Sequence, residues 1–325
     1  MFEEFEEFVV DLELNQEASE NTVSIRERHL SEFSEFVDVD DVEDVSRRDI
    51  SRYVDWLVDE GYAPNTIESR YGSVSAAYNH LFVEDLVDNN PIKRMKRKAI
   101  RKKAQKAKTE AEKKAEDDAK DYLTKAEVYE LAESVPEPTD RNELLVKLLF
   151  WTGARVSEVV RIDIGRDGSV DGEGSDIDVQ KPCIKVYAPK TDESRSVSYP
   201  RGEINPLLRD WVRNGRLRYK YANESRRLFL GRKKPLTESG VARVVKKAAE
   251  NAGIQEVDHV SKDGRKYHRV TPHLLRHSHA MYQHNERGVS FDELKAHLGH
   301  SSVDTTEKFY AEGTEEMVVN TFGSE

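Results

Sequence analysis

The sequence has a single cysteine, Cys183, so no disulfide scaffold can hold the fold, and a reducing compartment suits it. It has no apolar run near the roughly 18 residues that a membrane-spanning helix needs, and its mean hydropathy is −0.76. The opening residues, MFEEFEEFVV, are acidic and lack the basic start of a signal peptide. Histidines gather late, at His273, His277, His279, His297 and His300, but no HExxH run, no paired-cysteine spacing and no acidic partner in register accompanies them. That argues against a zinc site. At face value the net charge of −11 also argues against a nucleic-acid partner.

At 325 residues the chain has room for about two domains, each with its own core. Its charge is unevenly distributed. Residues 1–90 hold 24 acidic against 6 basic residues, net −18; residues 91–120 are net +8; the remaining 205 are net −1, from 33 acidic and 32 basic residues. A balanced segment rich in both signs can still hold a basic cleft, because the local field outweighs the total. The Asp-, Glu- and Val-rich front reads as a surface built for high salt, of the haloarchaeal kind. An acidic domain in an ordinary cell is the plain alternative.

Hydrophobic spacing predicts four helices in residues 1–90. Phe2, Phe5, Phe8, Val9 and Leu12 form one stripe, and Leu30, Phe33, Phe36 and Val37 close a second helix that starts near Asn21. Ser46 with Asp49 opens a third as a capping box, carried by Ile50, Tyr53, Val54, Leu57 and Val58 until Gly61. Pro64 opens the fourth, with Ile67, Tyr71, Val74, Tyr78 and Leu81 facing inward as far as Asn89-Asn90-Pro91. Residues 92–120 are Lys, Arg, Ala and Glu with almost no apolar face, so they are expected to form an extended helix or a flexible linker without a core. From Tyr122 the pattern is globular again. Leu144 to Trp151 is a strongly apolar helix, residues 163–181 read as loop, and CIKVYAPK and RSVSYP read as two strands joined through Lys190 to Ser194. The rest reads as helical, apart from a strand pair around Gly264. The expected fold class is mainly α with a small antiparallel β-sheet.

Four short segments carry chemistry. In TGARVSEVVRI, Gly153 breaks one helix and Arg155 begins the next, where Glu158 shares its face and can hold the guanidinium in one pose. Lys190 sits where strand becomes turn. In TPHLLRH, Thr271 caps a helix and Pro272 takes its first position, so His273 and Arg276 share a face at a helix N-terminus that already favours an anion. In SFDELKAHLGHSSVDTTEKFY, Ser290 and Glu293 form a capping box, Gly299 ends the helix, His300 falls in the turn and Tyr310 follows on a short helix. Each segment taken singly has a plain reading as a surface ion pair, a solvated turn lysine or a capped helix.

Taken in order, two arginines, a hairpin lysine, two histidines and a C-terminal tyrosine resemble the tyrosine recombinases, the phage-integrase family, of a haloarchaeal or haloarchaeal-virus type. The likeness covers residues 20–315 and rests on TGARVSEVVRI, the KTDESR hairpin, HLLRHSHA and LGHSSVDTTEKFY. It matches Arg155 to the family's first arginine, Lys190 to its lysine, and His273 and Arg276 to its HxxR motif. His300 matches the later His/Trp position, Tyr310 the nucleophile, and Glu158 the acidic residue that accompanies the first arginine. Two features depart from the family. Phe309 takes the slot the tyrosine usually holds, with Tyr310 one residue later. The front domain, which clamps DNA in this family, is acidic here. Arg26, Arg28, Arg47, Arg48, Arg52 and Arg70 must then supply its DNA face. Residues 92–120 are either a solvated spacer or an arm whose Lys96, Arg97, Lys102 and Lys103 track the phosphate backbone.

The resemblance implies an all-α, four-helix, SAM-like DNA-binding domain (1–91), a charged linker (92–120) and an α+β catalytic domain (121–325). It implies site-specific DNA cleavage and rejoining through a 3′-phosphotyrosyl intermediate, with no cofactor, ATP or metal. The partners it implies are double-stranded DNA, a homotetramer on two sites (monomer or dimer when free) and accessory DNA-bending proteins. It implies no membrane, a cytoplasmic location and a link to mobile elements. The competing expectations are a type IB topoisomerase-like relaxer and a catalytically decayed, sequence-specific DNA-binding protein.

Overall fold

A computed structural model of the chain describes residues 1–16, 18–93, 95–106, 122–188, 193–260 and 266–299. The chain divides into two compact units, one of residues 1–119 with 260–266 and one of residues 120–259 with 267–325. No described helix is long and apolar enough to cross a membrane.

The first unit consists of α1 (Glu3–Leu14), α2 (Glu20–Phe36), α3 (Arg47–Asp59), α4 (Pro64–Val83) and α5 (Arg97–Lys106). The local signals act where the sequence puts them. Ser19 accepts from the Thr22 amide to cap α2, Ser46 and Asp49 close a capping box on α3, and Pro64 sits in the first turn of α4. Gly61, at φ +75°, turns the chain out of α3 in the left-handed conformation that glycine adopts without penalty. The inward stripes meet in one aromatic core. Phe5 stands edge-on to Tyr78 at 5.5 Å and Phe33 edge-on to Tyr53 at 5.0 Å, with Leu30, Ile50, Leu57 and Leu81 filling the rest.

Two expectations fail in this unit. The fourth helix stops at Val83, short of Asn89-Asn90-Pro91, because Leu86 N–H turns back to the Leu81 carbonyl at 2.8 Å and closes the helix end. The stretch after residue 91 does contribute to a core. Ile92 and Ile100 are buried in the first unit, and α5 lies along α4. The binary pattern hides this, since two isoleucines eight positions apart make no stripe. Electrostatics supplies the remainder: Arg97 pairs with Glu68 of α4 at 2.8 Å and Lys103 with Asp55 of α3, so the basic helix is held to single carboxylates on two neighbours.

The second unit is built around α7 (Thr139–Thr152), whose Leu144, Leu145, Val146, Leu148, Leu149 and Phe150 are all buried. A helical stretch apolar on nearly every side must be enclosed. Around it lie α6 (Lys125–Glu133), α9 (Arg201–Asp210), α10 (Glu238–Asn251) and α11 (Pro272–Asn285). The short α8 (Val156–Val159) and α12 (Phe291–Leu298) complete the helices of the site. β1 (Ile177–Asp178), β2 (Cys183–Ala188) and β3 (Glu193–Ser198) form an antiparallel sheet in that order, with Ile184 opposite Val197 and Val186 opposite Arg195. A second antiparallel pair, β4 (Val257–Val260) with β5 (Lys266–His268), is the pair expected around Gly264.

The sheet also corrects the reading. β3 starts at Glu193, so Glu193 and Ser194 belong to the strand, and β1 lies inside the stretch read as loop. A two-residue strand has no periodicity to detect. Residues 219–237, read as helical, are turns and isolated bridges, Asp163 to Arg227 and Leu230 to Pro235.

His29 in α2 is buried, its Nδ1 2.9 Å from Ser73 Oγ. Burial first, then the charges of Arg70 and Arg28, lowers its pKa to about 4. The folded state therefore holds a neutral ring that the unfolded chain protonates near 6.5. Its stabilising contribution is complete above pH 6.5 and lost as pH falls towards 4, on the order of 3 kcal/mol in all. His29→Gln, which keeps a hydrogen-bonding group beside Ser73, is expected to flatten the denaturation midpoint between pH 6.5 and 4, measured by urea unfolding.

Candidate active site

The site starts at the break between α7 and α8. Gly153 ends α7 at φ +60°, and a β-carbon there would lie 2.6 Å from a His279 ring carbon and 2.8 Å from Leu298. Both backbone angle and space require glycine. The chain that leaves the turn puts Arg155 at the N-cap of α8. Its amide donates to Glu158 Oε2 at 2.7 Å and its Nη1 to Oε1 at 3.2 Å, the pairing that their spacing predicts.

The second component is the start of α11. Thr271 accepts from the Leu274 amide, Pro272 occupies the first turn, and His273 and Arg276 follow one turn apart. His273 keeps an exposed edge, whereas Arg276 is buried. The third is the end of α12, capped at its start by the Ser290–Glu293 box and at its end by Gly299 at φ +66°.

The first two components, joined by Arg195 of β3, meet the third on consecutive carbonyls. Arg195 Nε donates to the His297 carbonyl at 2.9 Å, Arg276 Nη2 to Leu298 at 2.8 Å, and Arg155 Nη2 to Gly299 at 2.9 Å. Arg276 Nη1 also donates to the Gly153 carbonyl at 2.6 Å, which ties the α7 end to the α12 end. A helix C-terminus leaves its last carbonyls without intrahelical donors and carries partial negative charge, so guanidinium groups are its natural caps. His297 Nε2 lies 3.1 Å from the Thr152 carbonyl, and the His297 ring stacks on buried His279 at 5.3 Å.

The charges do not balance. Glu158 is the one carboxylate bonded to this cluster in the described residues; it takes both ends of the Arg195 fork, at 2.7 and 2.9 Å, besides Arg155. Burial pushes its carboxyl up, but the Arg195 bonds, the Arg155 amide and the two guanidinium charges outweigh that and hold it below the usual range. Among the described residues no carboxylate pairs with Arg276. Burial and then the charge of Arg155 lower it to about 9, still protonated at neutral pH. Desolvation, then Arg276 and Arg155, lowers His273 from its ordinary value, so its imidazole is neutral at pH 7. The cluster can therefore accept a tetrahedral oxyanion between Arg155 and Arg276, with a neutral imidazole beside it.

Of the site residues read from sequence, the structure brings together Arg155, Glu158, His273 and Arg276. Lys190, His300 and Tyr310 lie outside the described residues. Among the residues assigned to DNA contact, Arg28, Arg47, Arg48, Lys96 and Lys102 are exposed and Arg26 is half-buried over the Phe8 ring. Arg52 is exposed and sits 3.4 Å from Asp49. Arg97 and Lys103 are exposed but paired within the unit. Arg70 is a correction. It is buried, pairs with Glu32 and lies over the Tyr62 ring at 4.3 Å, so it neutralises a core carboxylate and is not on the surface. Arg195, His279 and His297 were missed. For Arg195 a signal existed: it shares a strand face with buried Val197, and a charge on an inward strand face requires a buried partner. Among the described residues no group of three His, Cys, Asp or Glu side chains comes together.

The sequence profile described as the Phage integrase family matches residues 121–317, and that of the Phage integrase N-terminal SAM-like domain matches residues 5–84. The chain belongs to the phage integrase family. It is 29% identical over 309 residues to the tyrosine recombinase XerA of Pyrococcus furiosus, covering 94% of this chain and 88% of that one. It is 26% identical over 316 residues to the tyrosine recombinase XerC of Herpetosiphon aurantiacus, covering 94% and 90%. In fold it is similar to the Tn1549 transposon integrase in complex with transposon right end DNA, with a TM-score of 0.69 at 16% identity and 94% of each chain covered. It is also similar to a lambda integrase tetramer bound to a Holliday junction, with a TM-score of 0.62 at 16% identity, covering 94% of this chain and 76% of that one. The SAM-like match spans α1 to α4. The integrase match contains the whole arginine cluster.

Gly153 gives this integrase site a direct stability test. Gly153→Ala combines left-handed strain with a collision against His279 and Leu298, and is expected to cost on the order of 3 kcal/mol. Gly288→Ala has the same backbone hand, φ +66°, and open space around it, so only strain of about 1 kcal/mol is expected. Urea denaturation midpoints of the two variants make the comparison.

Proposed function

We propose that the chain is a site-specific DNA recombinase that breaks and rejoins strands through a phosphotyrosyl intermediate. The observation that carries this reading is the pair Arg155 and Arg276: two guanidinium groups anchored to the same helix end, one of them buried and paired with no carboxylate among the described residues. A scissile phosphodiester supplies the missing anion. Its non-bridging oxygens gain charge in the transition state, where the two arginines stabilise it.

In this reading Tyr310 attacks phosphorus, a bond forms between its oxygen and phosphorus, and the bond from phosphorus to the 5′-oxygen breaks. Lys190 gives a proton to the departing 5′-oxygen, His273 exchanges the tyrosine proton, and His300 donates a hydrogen bond to a non-bridging oxygen. The bond energy is kept in the phosphotyrosine, so rejoining needs no ATP, metal or cofactor. The DNA-bound neighbours support double-stranded DNA as the partner and a homotetramer on two sites; accessory DNA-bending proteins are a further part of the proposal. We read residues 1–91 as a core-DNA-binding domain, extended by α5, and residues 121–325 as the catalytic domain. The acid-rich front supports a cytoplasm of high salt, as in a haloarchaeon or its virus, and the likeness to the phage integrases supports a role in a mobile element.

The test is a covalent trap. Incubated with a nicked duplex carrying its site, the protein is expected to form a protease-sensitive DNA adduct. Tyr310→Phe should form none, and Arg276→Ala should slow adduct formation by about 10²–10³-fold. An equal adduct from Tyr310→Phe moves the nucleophile elsewhere, and tight binding without any adduct selects a decayed DNA-binding protein. The linker gives a separate expectation. Lys96 and Lys102 are exposed basic residues of this segment that make no ion pair among the described residues. Replacing both by Gln should weaken binding alike on specific and random duplexes and lower the salt slope by about 2. Replacing Arg97 and Lys103, already paired, should change it less. Fluorescence anisotropy across a salt series reads both.

A further inference from the structure

We propose that Arg195 is a positioning residue of the oxyanion clamp: it sets the orientation of Arg155 through Glu158 and fixes the helix end on which Arg155 and Arg276 are both anchored. This rests on the strand-cleavage reading above.

The argument starts from strand geometry. Arg195 lies opposite Val186 on β3 and shares its face with Val197, so its stem runs inward. All three of its guanidinium nitrogens are used. Nη1 and Nη2 meet the two Glu158 oxygens at 2.7 and 2.9 Å, and Nε meets the His297 carbonyl at 2.9 Å. A fork on both oxygens fixes the plane of a carboxylate, which a single hydrogen bond leaves free to rotate. Glu158 in turn holds the Arg155 amide at 2.7 Å and its Nη1 at 3.2 Å. Rotation of that carboxylate would carry the Arg155 contact with it.

The second attachment acts from the other side. His297, Leu298 and Gly299 are consecutive, and their carbonyls are held by Arg195, Arg276 and Arg155 in turn. The Gly299 Cα faces the Arg195 guanidinium closely enough that a β-carbon would lie 3.3 Å from Nη1. Removing Arg195 thus leaves Glu158 held by Arg155 alone and takes one of three guanidinium holds off the α12 end, which loosens both supports that define where Arg155 points. Arg195 itself is committed to Glu158 and His297. It acts on the phosphate through Arg155 and makes no contact of its own.

A methylphosphonate linkage distinguishes this role from a merely structural one. It replaces one charged non-bridging oxygen by methyl, so less charge develops for Arg155 to stabilise, and a badly aimed Arg155 matters less. The probe is a duplex site selected from a random pool by the purified full-length protein, made with either a phosphodiester or a methylphosphonate at the cleavage position. On the phosphodiester, Arg195→Met is expected to slow covalent adduct formation on the order of tenfold to a hundredfold, with Kd within about twofold. On the methylphosphonate the same variant should fall within about threefold of the unsubstituted protein. Should Arg195→Met not fold, Arg195→Lys keeps the charge and loses the fork, and the same split between substrates is expected. Equal losses on both linkages, or a loss confined to Kd, would overturn the role. No adduct from the unsubstituted protein on either linkage removes the strand-cleavage reading, and this role with it.

Discussion

Three guanidinium groups and one carboxylate at the end of α12 are the constraint on which the site depends. Charges taken out of water need partners, and an arginine with no carboxylate remains stable only where carbonyl oxygens and a nearby anion compensate it. Glu158 balances one of the three charges, and the last three carbonyls of α12 with that of Gly153 take up part of the rest. What remains is a fixed positive site with a neutral imidazole beside it. A phosphodiester is the kind of ligand that completes such a cluster, and it does so most fully as its charge grows towards the transition state.

The surrounding fold makes that cluster rigid. The second half of α7, from Leu144 to Trp151, is apolar apart from Lys147 and is enclosed by α6, α9, α10 and α11, so its C-terminal end has little freedom. Gly153 lets the chain turn out of that helix within one residue and lets His279 and Leu298 come close. His279 is held neutral, with a pKa near 3, because burial and then the neighbouring His297 disfavour its charge. A protonated ring there would add a further cation to a site already in excess. The buried His279 beneath the arginines is thus uncharged and adds nothing to the positive charge of the cluster.

Charge is sorted in the first unit as well. The net +8 segment is not a bare spacer in its first half, since α5 returns onto α3 and α4 and places Arg97 and Lys103 against Glu68 and Asp55. Part of the basic charge therefore neutralises the unit's own acid. Exposed Lys96 and Lys102 remain to face a polyanion, along with the arginines at the start of α3. The total of −11 bears on the solvent more than on the partner.

Much was legible in sequence because it is local. Ser46 with Asp49, Pro64, Thr271 with Pro272, and Ser290 with Glu293 act within one helical turn, and their caps stand where the residues stand. The spacing of Arg155 and Glu158 fixed their pairing for the same reason, and the order of motifs sufficed for the family. What only the tertiary structure decided are pairings across long separations. Arg195 reaches Glu158 across 37 positions, Arg276 reaches Gly153 across 123 and Arg155 reaches Gly299 across 144. Burial also took Arg70 from the surface and set Ile100 into a core. Periodicity records which face of an element is apolar; it carries no record of which other element that face meets, and that is where the clamp is made.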